Sequence, residues 1–404
     1  MTQNTTWRQS LAVLWAGNFM TGMGFSMTMP FLPLFIKTLG NFTKPQLTLL
    51  SGSAFAITFL VKAIVSPFWG RLADAHGRKI MCLRAALGMT FTITACGLVN
   101  SIASLIILRA LQGGFSGYIN NANAIVAAAA PREHSGKAMG TLATGNVVGT
   151  LLGPLLGGVI AGTFGYRSTF FVTGALMAIV FIATLVLVHE QFTPVATKDL
   201  LPTKQIFHKL QYPQLILGMF ITTLIIQAAN MSVTPIISLF VGELLHQHGP
   251  IAMVSGVIAA LPGVVTLISA PSLGALSDRV GPEKVLLVGL LFATLVFIPM
   301  SFVQNIWQLG FLRLLVGVSD AALLPAVQTI MTQHVPQSVF GRIFSYNQSF
   351  QAIGSVVGPM LGAVISGQFD YRGVFAMTAI LLLINLIVIH FASRPLLHTA
   401  QNEA

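Results

Sequence analysis

Twelve long apolar stretches decide the solvent in which this chain can fold. They run at about 11–36, 47–69, 80–99, 102–127, 138–163, 167–188, 214–241, 251–273, 285–303, 306–330, 342–366 and 373–392. A helix crosses the hydrocarbon core of a bilayer in about 20 apolar residues, so each stretch is long enough to span. Charged residues make up 8% of the 404 and hydrophobic residues 54%, whereas a soluble domain carries roughly a quarter charged residues. Such a chain cannot clothe its surface for water. In lipid the backbone must pair internally, which leaves helices or closed barrels. These continuous runs lack the alternation of barrel strands. The expected fold is an all-α membrane protein of twelve transmembrane helices. A soluble enzyme, a secreted disulfide scaffold and a disordered tail protein are excluded.

The formal charge is +11, but the basic residues sit one to three per short loop and never in a run of six. Membrane topology explains them better than nucleic acid does. On one side lie Arg8, Arg71, Arg78, Lys79, Arg84, Arg132, Lys137, Lys198, Lys204, Lys209, Arg279, Lys284, Arg342 and Arg394; on the other lie Lys37, Lys44, Arg167 and Arg372. Fourteen against four place both termini in the cytoplasm by the positive-inside rule. The polar stretch 189–213 then reads as a cytoplasmic linker between an N-terminal six-helix bundle, 1–188, and a C-terminal one, 214–404. Cys82 and Cys96 fall in one span and stand ~21 Å apart at helical rise, too far for a disulfide. The start of the chain reads as an uncleaved first span.

The two halves echo each other. Ser51-Gly52 recurs as Ser255-Gly256, Pro67 as Pro271, GRLADAHG at 70–77 as GALSDRVG at 274–281, and Arg109 as Arg313, all offset by 204. GTLLGPLLGG at 149–158 recurs as GSVVGPMLGA at 354–363, and Tyr166-Arg167 as Tyr371-Arg372, offset by 205. An offset this constant across half a chain indicates duplication. Two parallel halves around a midplane site are the architecture of a rocking transporter, although repetition alone also fits a channel.

The segment GRLADAHGRK, 70–79, joins spans two and three. Gly70 and Gly77 are expected to turn the backbone tightly. Asp74 can cap a helix N-terminus, and Arg78 and Lys79 anchor the cytoplasmic side. Gly274, Asp278 and Gly281 form the copy.

This segment resembles the loop signature of the major facilitator superfamily. ILRALQGG at 107–114 resembles the family's fourth-helix motif, GNVVGTLLGPLLGG at 145–158 its fifth-helix antiporter motif, and GFSMTMPFLP at 24–33 the first-helix motif of twelve-span drug:proton antiporters. The resemblance covers nearly the whole chain and implies two pseudo-symmetric six-helix bundles and multidrug efflux coupled to protons. It implies a cytoplasmic gate at Gly70, Asp74, Gly77, Arg78, Lys79, Gly274, Asp278 and Gly281. Gly145, Gly149, Gly153 and Gly157, with Pro154, form a small-residue stripe that Gly354, Gly358 and Gly362, with Pro359, repeat. Such stripes let helices approach closely. By pseudo-symmetry both helices are expected to pack on the opposite half, at the moving interface.

Of ten acidic residues only Asp320 lies deep in a span, seven residues after Arg313 and on its face. Its duplicate position is Ser116. Charge within a membrane is expensive and usually functional, so Asp320 is expected to bind and release the coupling proton. Arg109 has, by resemblance, the role of a fixed positive charge near the proton site. Lys62, within span two, either snorkels to the cytoplasmic side or faces a cavity. Many relatives carry an acidic residue in span one. Residues 11–36 contain none, so coupling falls to Asp320 or to Asp74 and Asp278.

A cavity wall is expected from Asn18, Asn120, Asn123, Asn146, Gln227, Asn230, Gln328, Asn347 and Gln351, with Met23, Phe25, Met29, Met231 and Phe350 adding adaptable contact. This set suits a large amphipathic substrate. There is no Walker loop and no HExxH, CxxC or G-x-S-x-G. His246 and His248 read as a solvated loop. The expectation is a monomeric secondary transporter of a bacterial cytoplasmic membrane. Its partners are lipophilic small molecules, protons and membrane lipids, with no nucleic acid, cofactor or metal and no enzymatic activity. The alternative of the same fold is a lipid or glycolipid flippase.

Overall fold

The computed structural model describes residues 3–131, 134–190, 210, 212–336 and 339–392. Among them there are helices and no strand. Span one is α1 (Gln3–Thr28), a short 3-10 turn at Met29–Phe31 and α2 (Leu32–Lys37). Spans two and three are α3 (Lys44–His76) and α4 (Arg78–Leu98). Span four is split into α5 (Ile102–Phe115) and α6 (Tyr118–Ala129). Then come α7 (Ser135–Phe164) and α8 (Tyr166–Leu187). The second half has α9 (Pro213–Val233), the short α10 (Ile237–Leu244), α11 (Ile251–Val280), α12 (Pro282–Met300), α13 (Ile306–His334) and α14 (Phe340–Ala392). Eleven helices or helix pairs are long and apolar enough to cross a membrane. The last is a run broken at Phe369 and Asp370, whose backbone is not helical. Its two arms make twelve spans. Most of the expected linker, 191–209 and 211, lies outside the described residues.

By contact the chain divides into two compact units. One takes Met1–Thr43, Ser53–Thr197 and Ile237–Ala260; the other takes Lys44–Gly52, Lys198–Ile236 and Leu261–Ala404. Each unit thus borrows a short segment from the opposite sequence half.

Glycine sets the closest contacts inside each unit. A Cβ built at Gly145 would meet Trp15 O, at Gly149 Phe19 O, at Gly153 Met23 O and at Gly157 Met27 O. The stripe therefore seats α7 on the backbone of α1. Gly354, Gly358 and Gly362 do the same against Leu224 O, Ala228 O and Ser232 O of α9. The stripes thus face their own half, while the same two helices meet the opposite sequence half through neighbouring residues. The neighbours that do so are Pro154, whose carbonyl meets Gly256 in the first unit, and Pro359, whose carbonyl meets Gly52 in the second. The repeated Ser-Gly pair thus lays the N-terminal parts of α11 and α3 on the motif prolines.

The gate segment is also more helical than its glycines suggest. Residues 70–76 continue α3 and 274–280 continue α11. A Cβ at Gly70 or Gly274 would meet nothing within 4 Å. The turn is made by one residue in each copy, Gly77 at φ 95° and Gly281 at φ 94°, a conformation natural to glycine.

Replacing glycine by alanine in a helix interior is worth up to about 1 kcal/mol in propensity. Gly140→Ala, where a Cβ meets nothing within 4 Å, should raise the thermal unfolding midpoint or leave it unchanged. Gly149→Ala should lower it, because the methyl group lands on α1 main chain. Unfolding of purified protein in detergent measures both, and equal shifts would refute the packing.

Candidate transport site

Span four carries the first buried charge. Arg109 on α5 is 2% exposed. Its Nε donates to Ala54 O at 3.2 Å, its Nη1 to Gln112 Oε1 at 2.7 Å, and its Nη2 lies 4.0 Å from Met29 Sδ. Thr58 Oγ1 donates back to Arg109 O at 3.0 Å. The guanidinium is therefore committed to protein and does not reach for a membrane surface. Met29, expected on the cavity wall, is buried against it.

Below Arg109 the span breaks, where an unbroken helix over 102–127 was expected. The segment Gly113-Gly114-Phe115-Ser116-Gly117 leaves Gly117 at φ 122°. A break in lipid must be patched. Trp69 Nε1 donates to Gly114 O at 2.8 Å, and Arg84 Nη2 donates to Ser116 O at 3.0 Å. Asn121 Nδ2 serves Gly117 O at 2.9 Å. The guanidinium of Arg84 also lies over the Trp69 ring, 3.8 Å from its centroid. The duplicate, α13, runs unbroken because Ala321 stands where Gly117 would. Arg84 was counted only as a cytoplasmic charge, and nothing local marks it as a partner of a helix thirty residues on.

The positive end of α4 meets the carboxylate of Glu190. Glu190 Oε1 and Oε2 accept from the Arg78 and Lys79 backbone N–H groups at 2.9 and 2.7 Å, which places a carboxylate on the positive end of α4. Arg78 Nη1 donates to Ala124 O at 2.9 Å. The Asp74 side chain lies outside the described residues, and Asp278 is exposed.

In the second unit Asp320 on α13 accepts from Asn230 Nδ2 of α9 at 3.1 Å. The structure thus joins the deep carboxylate to an amide expected on the cavity wall. Arg313 stands two turns earlier on α13. Nearby, Gln227 Nε2 donates to Ser355 Oγ at 3.0 Å and Gln351 Nε2 to Gln227 Oε1 at 3.4 Å. Phe350 stacks on Phe220 at 5.2 Å. Other members of the expected wall are packing residues. Asn18 is fully buried and donates to Asn123 Oδ1 at 3.2 Å. Asn347 and Met23 are buried. Phe25 meets Phe59 edge-on at 5.9 Å. Asn120 is exposed, and Asn146 and Met231 are half-buried. Among the described residues, His, Cys, Asp and Glu form no group of three that could hold a metal.

Asp370 was not singled out in sequence. It sits at φ 68° and ψ 173°, where its duplicate, Gly165, has φ 82°. This region costs a residue with a side chain roughly 1–3 kcal/mol. The carboxylate offsets that cost by pairing with Lys44 Nζ and accepting from the Tyr371 N–H at 2.6 Å. Lys44 also lies 4.0 Å from the Tyr371 ring centroid. Partial burial pushes the Asp370 carboxyl up. The hydrogen bonds from Lys44 and Tyr371, with the charges of Lys44 and Arg372, outweigh burial and hold it below the ordinary carboxylate range.

Helices that seat on one another through glycine, with a span break patched by side chains, describe a helical protein of the membrane. The Major Facilitator Superfamily model matches residues 14–249 and 219–403, and the chain belongs to that superfamily; it is a transporter and not an enzyme. It is 50% identical over 381 residues to the multidrug resistance protein MdtG of Enterobacter lignolyticus, covering 94% of this chain and 91% of that protein. It is equally similar to MdtG of Escherichia fergusonii, of which it covers 93%. Among solved structures it resembles an inward-facing bacterial homologue of the human lysosomal transporter Spinster, with TM-score 0.79, 16% identity and coverage of 96% and 97% of the two chains. It also resembles the human organic anion transporter MFSD10, with TM-score 0.66, 16% identity and coverage of 95% and 99%. At these identities the two structures establish the fold alone.

A depressed carboxylate contributes stability above its unfolded pKa and loses it as pH falls through the folded value. Asp370 therefore stays ionised across pH 5–8. The pair is about 40% exposed, so solvent limits it to at most about 1 kcal/mol. Asp370→Asn should lower the unfolding midpoint slightly and equally at pH 5.5 and 7.5. A penalty that vanishes at pH 5.5 would contradict this reading.

Proposed function

We infer that the chain exports lipophilic and amphipathic compounds across the bacterial cytoplasmic membrane in exchange for protons, as a monomer with both termini in the cytoplasm. The two six-helix bundles, 1–188 and 214–404, joined by 189–213, alternate access to a shared cavity. Identity of 50% to proteins named for multidrug resistance, over nearly the full length of both, supports the cargo class. The observation that carries the coupling is the Asp320–Asn230 hydrogen bond. A carboxylate within a membrane span is costly and usually functional. The Asn230 amide favours the charged form when it donates. Asp320 can therefore hold a proton in one arrangement of its surroundings and release it in another, with Arg313 on the same helix favouring release. Arg109, held rigidly among Ala54, Gln112 and Met29, supplies a fixed positive charge in the other unit.

Gly77 and Gly281 turn the chain at the cytoplasmic gate, and Arg78, Lys79 and Glu190 tie it to the start of α4. Gln227, Asn230, Met231, Phe350 and Gln351 of the second unit remain the residues best suited to contact cargo.

Efflux of a lipophilic dye from everted vesicles tests the reading. Wild-type protein should show efflux that responds to an imposed proton gradient. Asp320→Asn should reduce gradient-driven efflux to the vector background while dye binding persists. Undiminished coupling in that variant would remove Asp320 from the mechanism, and gradient-independent efflux by the wild type would remove the proton.

A further inference from the structure

A cavity of about 120 Å³ lies within the first unit, between α3, α4 and the break in span four. Its wall includes Lys62, Ser66, Trp69, Arg84, Ser116 and Asn120, and no acidic residue lines it. One ordered water needs roughly 10–15 Å³ by a comparable measure, so the space admits a group the size of several waters. Trp69 and Arg84 are explained by the helix break they patch. Lys62 is not. It makes no hydrogen bond or ion pair among the described residues, and neither does Asn120. Arg84 has a buried Nε without a partner. Two cations and an amide thus border one space, with donors to spare and no acidic side chain among the described residues that line it.

The other unit shows that the fold does not require this. It has a cavity of about 210 Å³ between α11, α12 and α13, which shares two lining positions, Leu273 and Val288, with the first cavity after the offset. At the positions offset by 204, Thr266 replaces Lys62, Leu273 replaces Trp69 and Val288 replaces Arg84. Leu273 and Val288 line that cavity, and Lys284 is its single charged residue. At these three offset positions the second copy carries no charge, whereas Asp320 stands where Ser116 does.

Charge inside a membrane segment is costly and marks a pathway or a ligand. Guanidinium and ammonium donors around a small space recognise phosphate-type oxyanions. We propose that the cavity between α3, α4 and the break in span four binds an oxyanion head group, with Lys62 as its free cation and Arg84 and Asn120 as further donors. The head group belongs either to an anionic phospholipid of the bilayer or to a small phosphate-like anion from water. The proposal holds whether or not efflux is coupled to protons, because it concerns occupancy and not transport.

Trp69 is a reporter already in place. The substitutions Trp7→Phe, Trp15→Phe and Trp307→Phe leave it as the only tryptophan. The purified full chain is placed in phosphatidylcholine nanodiscs containing brominated phosphatidylglycerol or brominated phosphatidylcholine, and separately titrated with inorganic phosphate. Stronger quenching by the brominated phosphatidylglycerol, lost in Lys62→Gln and kept in Lys62→Arg, identifies a lipid head group. Equal quenching by both lipids, with a phosphate-dependent emission change lost in Lys62→Gln, identifies a free anion. No lipid preference and no phosphate response, or a response unchanged in Lys62→Gln, would overturn the proposal. Arg84 is left intact throughout because it supports the helix break, and an unchanged unfolding midpoint for Lys62→Gln excludes misfolding as the cause of a loss.

Discussion

Close approach of one helix to the main chain of another is the interaction on which this structure rests. Lipid offers no hydrophobic gain for bringing apolar helices together, so association depends on packing and on backbone contact. The protein meets that demand with glycine facing carbonyl oxygen. Gly149 meets Phe19 O, Gly358 meets Ala228 O, Gly113 meets Thr58 O and Gly317 meets Pro262 O. The last two are duplicates of each other. The same device places Gly52 on Pro359 O and Gly256 on Pro154 O. Side chains then fill what the backbones leave.

Much of this architecture is legible in the sequence because it is periodic or repeated. The spans follow from their length and lack of charge. The duplication follows from a constant offset, and the glycine stripes follow from a four-residue spacing. What lies beyond reach is the identity of partners. A stripe shows that something packs closely, but not that the neighbour is α1. Asn18 reads as a cavity residue because it is polar in a span, yet it is buried against Asn123. Glu190 reads as the start of a linker, and only folding brings it to the first turn of α4. The break in span four had a local signal in its run of Gly and Ser, overridden by the apolar average around it. Arg84 had none.

The places where the copies disagree carry most of the chemistry. Ser116 faces Asp320 across the repeat, Gly165 faces Asp370, and Lys62 faces Thr266. In each case one copy carries a charge that the other lacks. A rule that only looked for repeated residues would find the scaffold and overlook these positions. The scaffold explains why the halves fold alike; the exceptions explain how two similar bundles can do different work.

The patched break in span four also bears on the order in which the chain is built. Synthesis proceeds from the N-terminus, so Trp69 and Arg84 enter the bilayer before Gly114 and Ser116 do. The donors are waiting when the open carbonyls arrive. A permuted chain that delivered span four first would expose those oxygens to hydrocarbon until the earlier spans followed. For this one break, the order of synthesis matches the order in which donor and acceptor are needed.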